Sequence, residues 1–229
     1  MKLPFKYYGV VVILLTVALS VDCNAEIVDE KYKLNGNYQK VSSKKLDKNV
    51  SSQSKSEQKI EITEFFLYSC PPCFELDPKL DNWVKVNKEK VIFNRIPAVV
   101  SPSWVPLAKA YYIAEKLGIL EETHSNLFKA IHKDKRIFLN EYSLSEFYEN
   151  YGINKFYFIK LYNSKEIIDK VSDARILTVQ NKLRGVPAIV MSKRYKTAPF
   201  FNRDQEQMLD VMTFLLDKIT NENKESRAK

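Results

Sequence analysis

Two cysteines separated by two residues, Cys70 and Cys73, carry the clearest chemistry in this sequence. Cysteines three positions apart on one helical turn lie close enough to form a small disulfide. The apolar and aromatic run from Glu64 to Ser69 predicts a buried strand, and the residues from Phe74 to Leu76 predict the start of a helix. A strand that leads into Cys-x-x-Cys at the start of a helix is typical of a redox-active dithiol.

The predicted helix start gives the two cysteines different properties. Cys70 lies at the positive end of the helix dipole, where its thiolate is stabilised and its pKa falls. Cys73 lies one turn further along, is more buried, and can resolve a mixed disulfide. The pair therefore predicts thiol–disulfide exchange.

A zinc site and a purely structural disulfide are two other uses of the cysteine pair, and the sequence favours neither. A structural zinc site needs four ligands, and the only further candidates are Cys23, His124 and His132, none of which has zinc-site spacing. We expect each histidine to be a lone surface or interface residue. A purely structural disulfide is disfavoured because so short a loop restrains little chain entropy. We therefore predict no metal site.

Composition limits the class of protein. The 229 residues suffice for one domain, or for one domain that carries an insertion. The formal net charge is +8, and lysines spread along the whole chain supply it without arginine-rich blocks. This distribution argues for a generally basic surface and against a nucleic-acid groove.

The N-terminus has the pattern of an export signal. Lys2 and Lys6 form a positive region, and the apolar run from Val10 to Leu19 is too short for a comfortable membrane span. Cleavage after Ala25 fits the preference for a small residue at the cut. The sequence therefore predicts an exported protein.

A lipid anchor at Cys23 is the alternative, but Asp22 before it is neither small nor apolar. If cleavage follows Ala25, the mature chain keeps only Cys70 and Cys73. A single close pair in a protein sent to an oxidising compartment is more often used for chemistry than as a structural disulfide.

The strand before the cysteines carries a carboxylate. In a period-two strand, Glu64 shares a face with Ile60, Ile62 and Phe66. This parity places Glu64 on an apolar face beside the cysteines, with a solvated strand end as the alternative. A helix after Cys73 and a strand over 91–96 complete a βαβ pattern.

The pattern then changes to helices and returns to strands. Apolar residues recur at helical spacing between Trp104 and Val171, and Ser143 with Glu146 predicts a capping box. A strand over 184–191, a hairpin and a final helix follow.

This order and three motifs resemble the DsbA family of exported thiol oxidases, over the span from Gly36 to Lys218. The motifs are Glu64-Phe65-Phe66, Cys70-Pro71-x-Cys73 and Leu183-Arg184-Gly185-Val186-Pro187-Ala188. Each motif alone is weak, but their order and spacing together are specific. The resemblance implies an α/β protein with a thioredoxin fold and an inserted all-helical domain.

The resemblance also implies a division of the chain. A signal peptide would cover 1–25, and the thioredoxin-like domain would comprise 26–100 and 183–229. The helical insertion would lie between these two parts, at 101–182.

The resemblance assigns roles to five residues. Cys70 would be the nucleophile, and Cys73 the resolving thiol. Pro187 would form a cis peptide that faces the disulfide, and Val186 would meet the substrate peptide. Glu64 would be the buried acid that moves the proton of Cys73; a buried acid has a raised pKa, which suits that role.

One position departs from the family pattern. The usual residue before the second cysteine is histidine, and here it is Pro72, which supplies neither an imidazolium nor an N–H. We also expect Pro72 to bias Pro71 away from helical geometry. Since a less stabilised thiolate makes a less oxidising disulfide, these two prolines predict a weaker oxidant.

The sequence and the resemblance together favour a thiol:disulfide oxidoreductase that donates its disulfide to reduced exported proteins during oxidative folding. A quinone-linked membrane partner, similar to DsbB, would reoxidise the pair. We expect a monomer that needs no bound cofactor and binds no nucleic acid. The alternatives are a reductase or isomerase of the same fold, or an envelope carrier that binds Cu(I) through both cysteines.

Overall fold

A computed structural model describes residues 31–41 and 59–228. The predicted signal peptide, the cleavage after Ala25 and the possible lipid site at Cys23 lie outside the described residues. Residues 42–58, which separate the two described ranges, also lie outside them.

A five-stranded mixed sheet forms the centre of the described protein. In spatial order its strands are β1 (Gln39–Lys40), β5 (Tyr195–Thr197), β4 (Ala188–Met191), β2 (Ile60–Phe66) and β3 (Val91–Pro97). Strand β2 pairs in parallel with β3 and antiparallel with β4. The strand that leads to the cysteines is therefore held on both sides.

Helices α1 (Pro71–Val86) and α7 (Gln205–Ala228) pack on one face of this sheet. Their buried side chains, including Leu80 and Met212, meet Ile60 and Ile62 of β2 in one apolar cluster. Among the described residues, no helix is both long and apolar enough to cross a membrane.

Five consecutive helices lie between β3 and β4. They are α2 (Val105–Leu117), α3 (Leu120–His132), α4 (Glu141–Glu149), α5 (Lys155–Tyr162) and α6 (Lys165–Gln180). Their core is continuous with Phe66, Tyr68 and Cys73. The helical block thus packs directly against the segment that carries the cysteines.

The predicted capping box is wrong. Helix α4 begins at Glu141, and the Oδ1 of Asn140 caps it by accepting hydrogen bonds from the backbone N–H groups of Tyr142 and Ser143. Ser143 therefore lies inside the helix instead of before it. Asparagine is as good an N-cap as serine, and starting at Glu141 adds nearly a full turn.

Candidate active site

Cys70 is the N-cap residue of α1. Its backbone is extended, with φ −88° and ψ 113°, and its Sγ accepts a hydrogen bond from the N–H of Cys73 at 3.4 Å. Cys70 is half-buried, whereas Cys73 has no exposed surface. An incoming thiol can therefore reach Cys70 but not Cys73.

The dipeptide between the cysteines begins the helix. The expectation that Pro71 leaves helical geometry is wrong, because α1 starts at Pro71. Proline fixes φ near the helical value, and because the N–H groups of the first turn have no partner within the helix, α1 loses no internal hydrogen bond. As neither Pro71 nor Pro72 has an N–H, the first helical N–H that can reach the Cys70 sulfur is that of Cys73.

The two thiols have opposite pKa shifts. Hydrogen bonds from the side chain and then the backbone of Cys73 lower the pKa of Cys70, against burial and the charge of Glu64. Burial raises the pKa of Cys73, and the neighbouring Cys70 raises it further. The geometry thus favours a Cys70 thiolate beside a protonated Cys73.

The segment before β4 faces Cys70. The Val186–Pro187 peptide bond is cis, as expected from the resemblance. The Cys70 thiol donates to the carbonyl oxygen of Val186 at 3.5 Å. The structure therefore brings Val186 to the nucleophile.

A cleft of about 560 Å³, called here the Cys70 cleft, opens beside the same sulfur. Apolar side chains from three parts of the chain line it, among them Leu67, Ala98, Trp104, Leu183 and Val186. This cleft was not predicted from the sequence, because its lining residues are up to 119 positions apart, from Leu67 to Val186. An extended peptide with apolar side chains would fit such a surface.

Glu64 lies on the apolar face that the strand parity predicted, with 2% of its surface exposed. Burial raises the pKa of Glu64 to about 7, although Arg95 acts against this rise. Its charge in turn raises the pKa of both Cys70 and Cys73. Glu64 can therefore carry a proton near neutral pH beside the buried thiol.

Glu64 forms an ion pair with Arg95 of the neighbouring strand β3. The Nε of Arg95 donates to its Oε2 at 2.9 Å. The parallel register of β2 and β3 aligns Glu64 with Arg95. The opposite charges of the two residues, at matched positions of a βαβ pair, were the signal that could have found this ion pair.

Both histidines lie where α3 packs against α1 and the segment before it. His124 is buried, and its ring nitrogens contact the hydroxyl of Tyr68 and the carboxylate of Asp77. His132 bonds the Tyr68 carbonyl through Nε2 at 2.7 Å and stacks on Phe74, with ring centroids 4.8 Å apart. Both are interface residues, as expected, but His124 belongs to a buried polar network.

Within the described ranges, no three or more His, Cys, Asp or Glu side chains are grouped so that they could hold a metal ion. The two cysteines are both free thiols in this structure. Their opposite pKa shifts match exchange between one reactive and one protected sulfur.

Comparison with known proteins gives a consistent result. The profile of the DSBA-like thioredoxin domain matches residues 86–212, a stretch that begins after both cysteines. The thiol:disulfide interchange protein DsbA of Burkholderia cepacia is 32% identical over 161 residues, which are 70% of this chain and 76% of that protein. DsbA of Azotobacter vinelandii is 29% identical over 160 residues, with 70% and 75% covered.

Solved structures agree with the sequence relatives. The crystal structure of Pseudomonas aeruginosa DsbA superposes with a TM-score of 0.75 at 25% identity, covering 86% of this chain and 98% of that one. The oxidoreductase DsbA from Xylella fastidiosa superposes with a TM-score of 0.70 at 27% identity, covering 82% and 97%. These matches confirm the predicted α/β thioredoxin fold with its helical insertion.

Proposed function

We propose, from the premise that this chain belongs to the DSBA-like thioredoxin domain family, that Cys70 and Cys73 are its redox-active pair. The relatives are thiol:disulfide interchange proteins, so the predicted class of enzyme, a thiol:disulfide oxidoreductase, is confirmed. One observation supports the assignment most directly. The half-buried Cys70 sulfur lies 3.4 Å from the Cys73 nitrogen and 3.5 Å from the Val186 oxygen.

The reaction starts from the Cys70–Cys73 disulfide. A substrate thiolate attacks the Cys70 sulfur, the bond between the two cysteines breaks, and Cys73 leaves with the electron pair and takes up a proton. A second substrate thiolate then attacks the substrate sulfur of this mixed disulfide and releases Cys70 as a thiolate. The substrate loses two electrons and gains a disulfide.

Glu64 supplies the proton that Cys73 takes up. Its pKa of about 7 lets it hold a proton at neutral pH, whereas the raised pKa of Cys73 makes that thiolate a strong base. Proton delivery to the leaving thiolate lowers the barrier to opening the disulfide. In the reverse direction, Glu64 takes the proton back.

Val186 and Pro187 bind the substrate. The Val186 carbonyl lies beside the reacting sulfur, and its side chain continues into the Cys70 cleft. An extended segment of an unfolded protein would place its cysteine at Cys70 and its neighbouring apolar side chains in the cleft.

The helical block supports the assignment of residues 101–182 to an inserted helical domain. Five helices, α2 to α6, stand between β3 and β4 without an intervening strand. We assign 26–100 and 183–229 to the thioredoxin-like domain that carries the cysteines.

DsbA proteins act on exported proteins, and we place this chain in the periplasm with a quinone-linked, DsbB-like membrane protein as its oxidant. The basic start and short apolar run of residues 1–25 support export with cleavage of this segment.

The intact mass of the protein isolated from the cell envelope is therefore expected to correspond to a chain that begins at Glu26. A lipid-modified form beginning at Cys23 would contradict this.

Pro72 is expected to limit the oxidising power of the pair. An N-cap side chain can accept from the second or third helical N–H, and here only that of Cys73 is present. In a Pro72→His variant, a new N–H and an imidazolium would both stabilise the Cys70 thiolate. We expect a lower Cys70 pKa and, for a tenfold stabilisation, a reduction potential about 30 mV higher. Thiolate absorbance and equilibration with glutathione measure the two quantities.

A Pro72→Ala variant separates the two effects, because alanine restores the N–H without adding a charge. We expect its reduction potential to lie between those of the parent and the histidine variant. Pro72 is exposed, so neither substitution disturbs the core. Unchanged potentials in both variants would show that the dipeptide does not set the redox poise.

Pro72 also favours a second candidate, a reductase or isomerase of the same fold. A less oxidising pair transfers its disulfide less completely and reduces wrong disulfides more readily. Oxidation of a reduced peptide and reduction of a scrambled protein, compared at one glutathione ratio, decide between the two directions. The oxidase is supported if peptide oxidation dominates.

A further inference from the structure

The Arg95 guanidinium is shared among three carboxylates. Its Nε donates to Glu64 at 2.9 Å, and its Nη2 donates to Asp77 at 3.1 Å and also to Asp81. Glu64 and Asp77 are buried, whereas Asp81 is exposed. We call these four residues the Arg95 cluster. A change in the strength of the Asp77–Arg95 hydrogen bond therefore changes the strength of the Arg95–Glu64 ion pair.

The helical block anchors Asp77 from the other side. The Nε2 of His124 lies 3.1 Å from Asp77 Oδ1, the oxygen that also accepts from Arg95. The hydroxyl of Ser125 donates to Asp77 Oδ2 at 3.0 Å. Burial acts to raise the pKa of Asp77, but the bond from His124, with the further help of Arg95 and Ser125, lowers it overall. Asp77 is therefore a fixed negative charge.

The hydrogen bonds also define the state of His124. Because an ionised Asp77 can only accept, Nε2 of His124 must carry a hydrogen. Nδ1 then accepts from the Tyr68 hydroxyl, which lies 2.8 Å away. A second proton on His124 would deprive that buried hydroxyl of its acceptor. The pKa of His124 is lowered, chiefly by burial, which agrees with a neutral ring.

We infer that Asp77 and His124 are positioning residues for the thiol–disulfide reaction. Together they fix how Arg95 is shared, and so set the pH range in which Glu64 exchanges its proton with Cys73. This inference rests on the proposed function of Glu64. It extends that function across the α1–α3 interface, because His124 belongs to the helical block.

Glu64 is surrounded by charged and titratable groups from each neighbouring element. They are Arg95 from β3, Asp77, Asp81, Cys70 and Cys73 from α1 and its cap, and Tyr111 from α2. In the disulfide form the two thiols no longer titrate, and burial raises the pKa of Tyr111 so that it stays protonated in the same pH range. The carbon-13 shift of the Glu64 carboxyl, followed against pH in that form, therefore reports the carboxylates and Arg95 alone.

Asp77→Asn removes the negative charge that opposes ionisation of Glu64, and it leaves the guanidinium freer to bind Glu64. We expect the titration midpoint of Glu64 to fall by about one pH unit. The acid limb of the exchange rate should move with it. A residue with only a structural role would lower stability without moving this midpoint.

Two substitutions at His124 form a matched pair. Asparagine can reproduce Nδ1 and keep the bond to Tyr68, but it loses the donor to Asp77. Glutamine can reproduce Nε2 and keep that donor. In His124→Asn, Asp77 loses the His124 donor and forms a stronger hydrogen bond with Arg95. The Arg95–Glu64 ion pair then weakens, so the titration midpoint of Glu64 should rise by about half a pH unit. In His124→Gln it should stay at the parent value.

The double variant Asp77→Asn with His124→Asn tests whether His124 affects Glu64 through the charge of Asp77. The rise caused by asparagine at His124 should vanish when Asp77 is neutral. If a His124 variant fails to fold, Ser125→Ala removes the other α3 donor at a half-buried site, and it should raise the midpoint in the same direction.

Equal midpoints in the Asn and Gln variants, or a rise that persists without the Asp77 charge, would overturn the inference. The midpoint is read without any exchange reaction. A loss of coupling is therefore distinguishable from a failure of Glu64 to serve Cys73, which only the exchange rates reveal.

Discussion

Replacing Cys70 with serine is expected to reduce the oxidation of reduced substrate proteins to the uncatalysed rate. The Cys70 sulfur is the only one of the pair that an external thiolate can reach, because Cys73 has no exposed surface. Cys73→Ser should also lose net oxidation, since no internal disulfide can form. It keeps the reactive Cys70 thiolate, however, and should accumulate a mixed disulfide.

Both results can be read from a peptide with two cysteines and from intact mass. The peptide's oxidation rate gives turnover, and the mass after incubation with glutathione disulfide gives the adduct. We expect a full adduct on Cys73→Ser and little on Cys70→Ser under identical conditions. If Cys70→Ser forms its adduct as fast, then Cys73 is accessible and the roles of the two sulfurs must be reassigned.

The sequence contains enough local information to predict most of this site. The alternation through Ile60, Ile62 and Glu64 depends only on strand geometry, so the burial of Glu64 is predictable once the strand is recognised. The N-cap position of Cys70 likewise follows from a strand end at Phe66 and a helix start at Pro71, with four residues between them. The start of helix α4 was not predicted correctly, because Asn140 and Ser143 are both good N-cap residues and the structure uses Asn140.

The polar network around Glu64 could not be predicted in the same way. Arg95 lies 31 positions from Glu64, and His124 lies 47 positions from Asp77. Each bond depends on how separate elements pack, which periodicity does not contain. The β2–β3 register made Arg95 recoverable in principle, but nothing in the spacing of His124 distinguishes it from a surface histidine.

Glu64→Gln is expected to change how stability depends on pH. A carboxyl whose pKa is raised by folding favours the folded state when it is protonated. Its contribution is therefore complete below pH 4.5 and lost as the pH rises through about 7. The parent should lose roughly 3 kcal/mol of unfolding free energy from this group across that window. The glutamine variant, with no carboxyl to ionise, should not.

Pairing with Arg95 does not reverse this expectation, because burial outweighs the ion pair in setting the pKa of Glu64. Arg95 also keeps Asp77 and Asp81 as partners when Glu64 is neutral. The measurement is urea unfolding of the parent and of Glu64→Gln, both in the disulfide form, between pH 4 and 8. Taking the difference between variant and parent cancels the other titrating groups. Glu61→Gln, on the opposite face of the same strand and partly exposed, should show no such trend.

The same variant tests the chemistry. Without Glu64, the thiolate of Cys73 must take its proton from solvent, which its burial impedes. We expect exchange to slow severalfold at pH 7 and to lose the inflection that Glu64 gives it. If stability changes as described but the exchange rate does not, Glu64 serves only as a partner for Arg95. Water must then reach Cys73 when the disulfide opens.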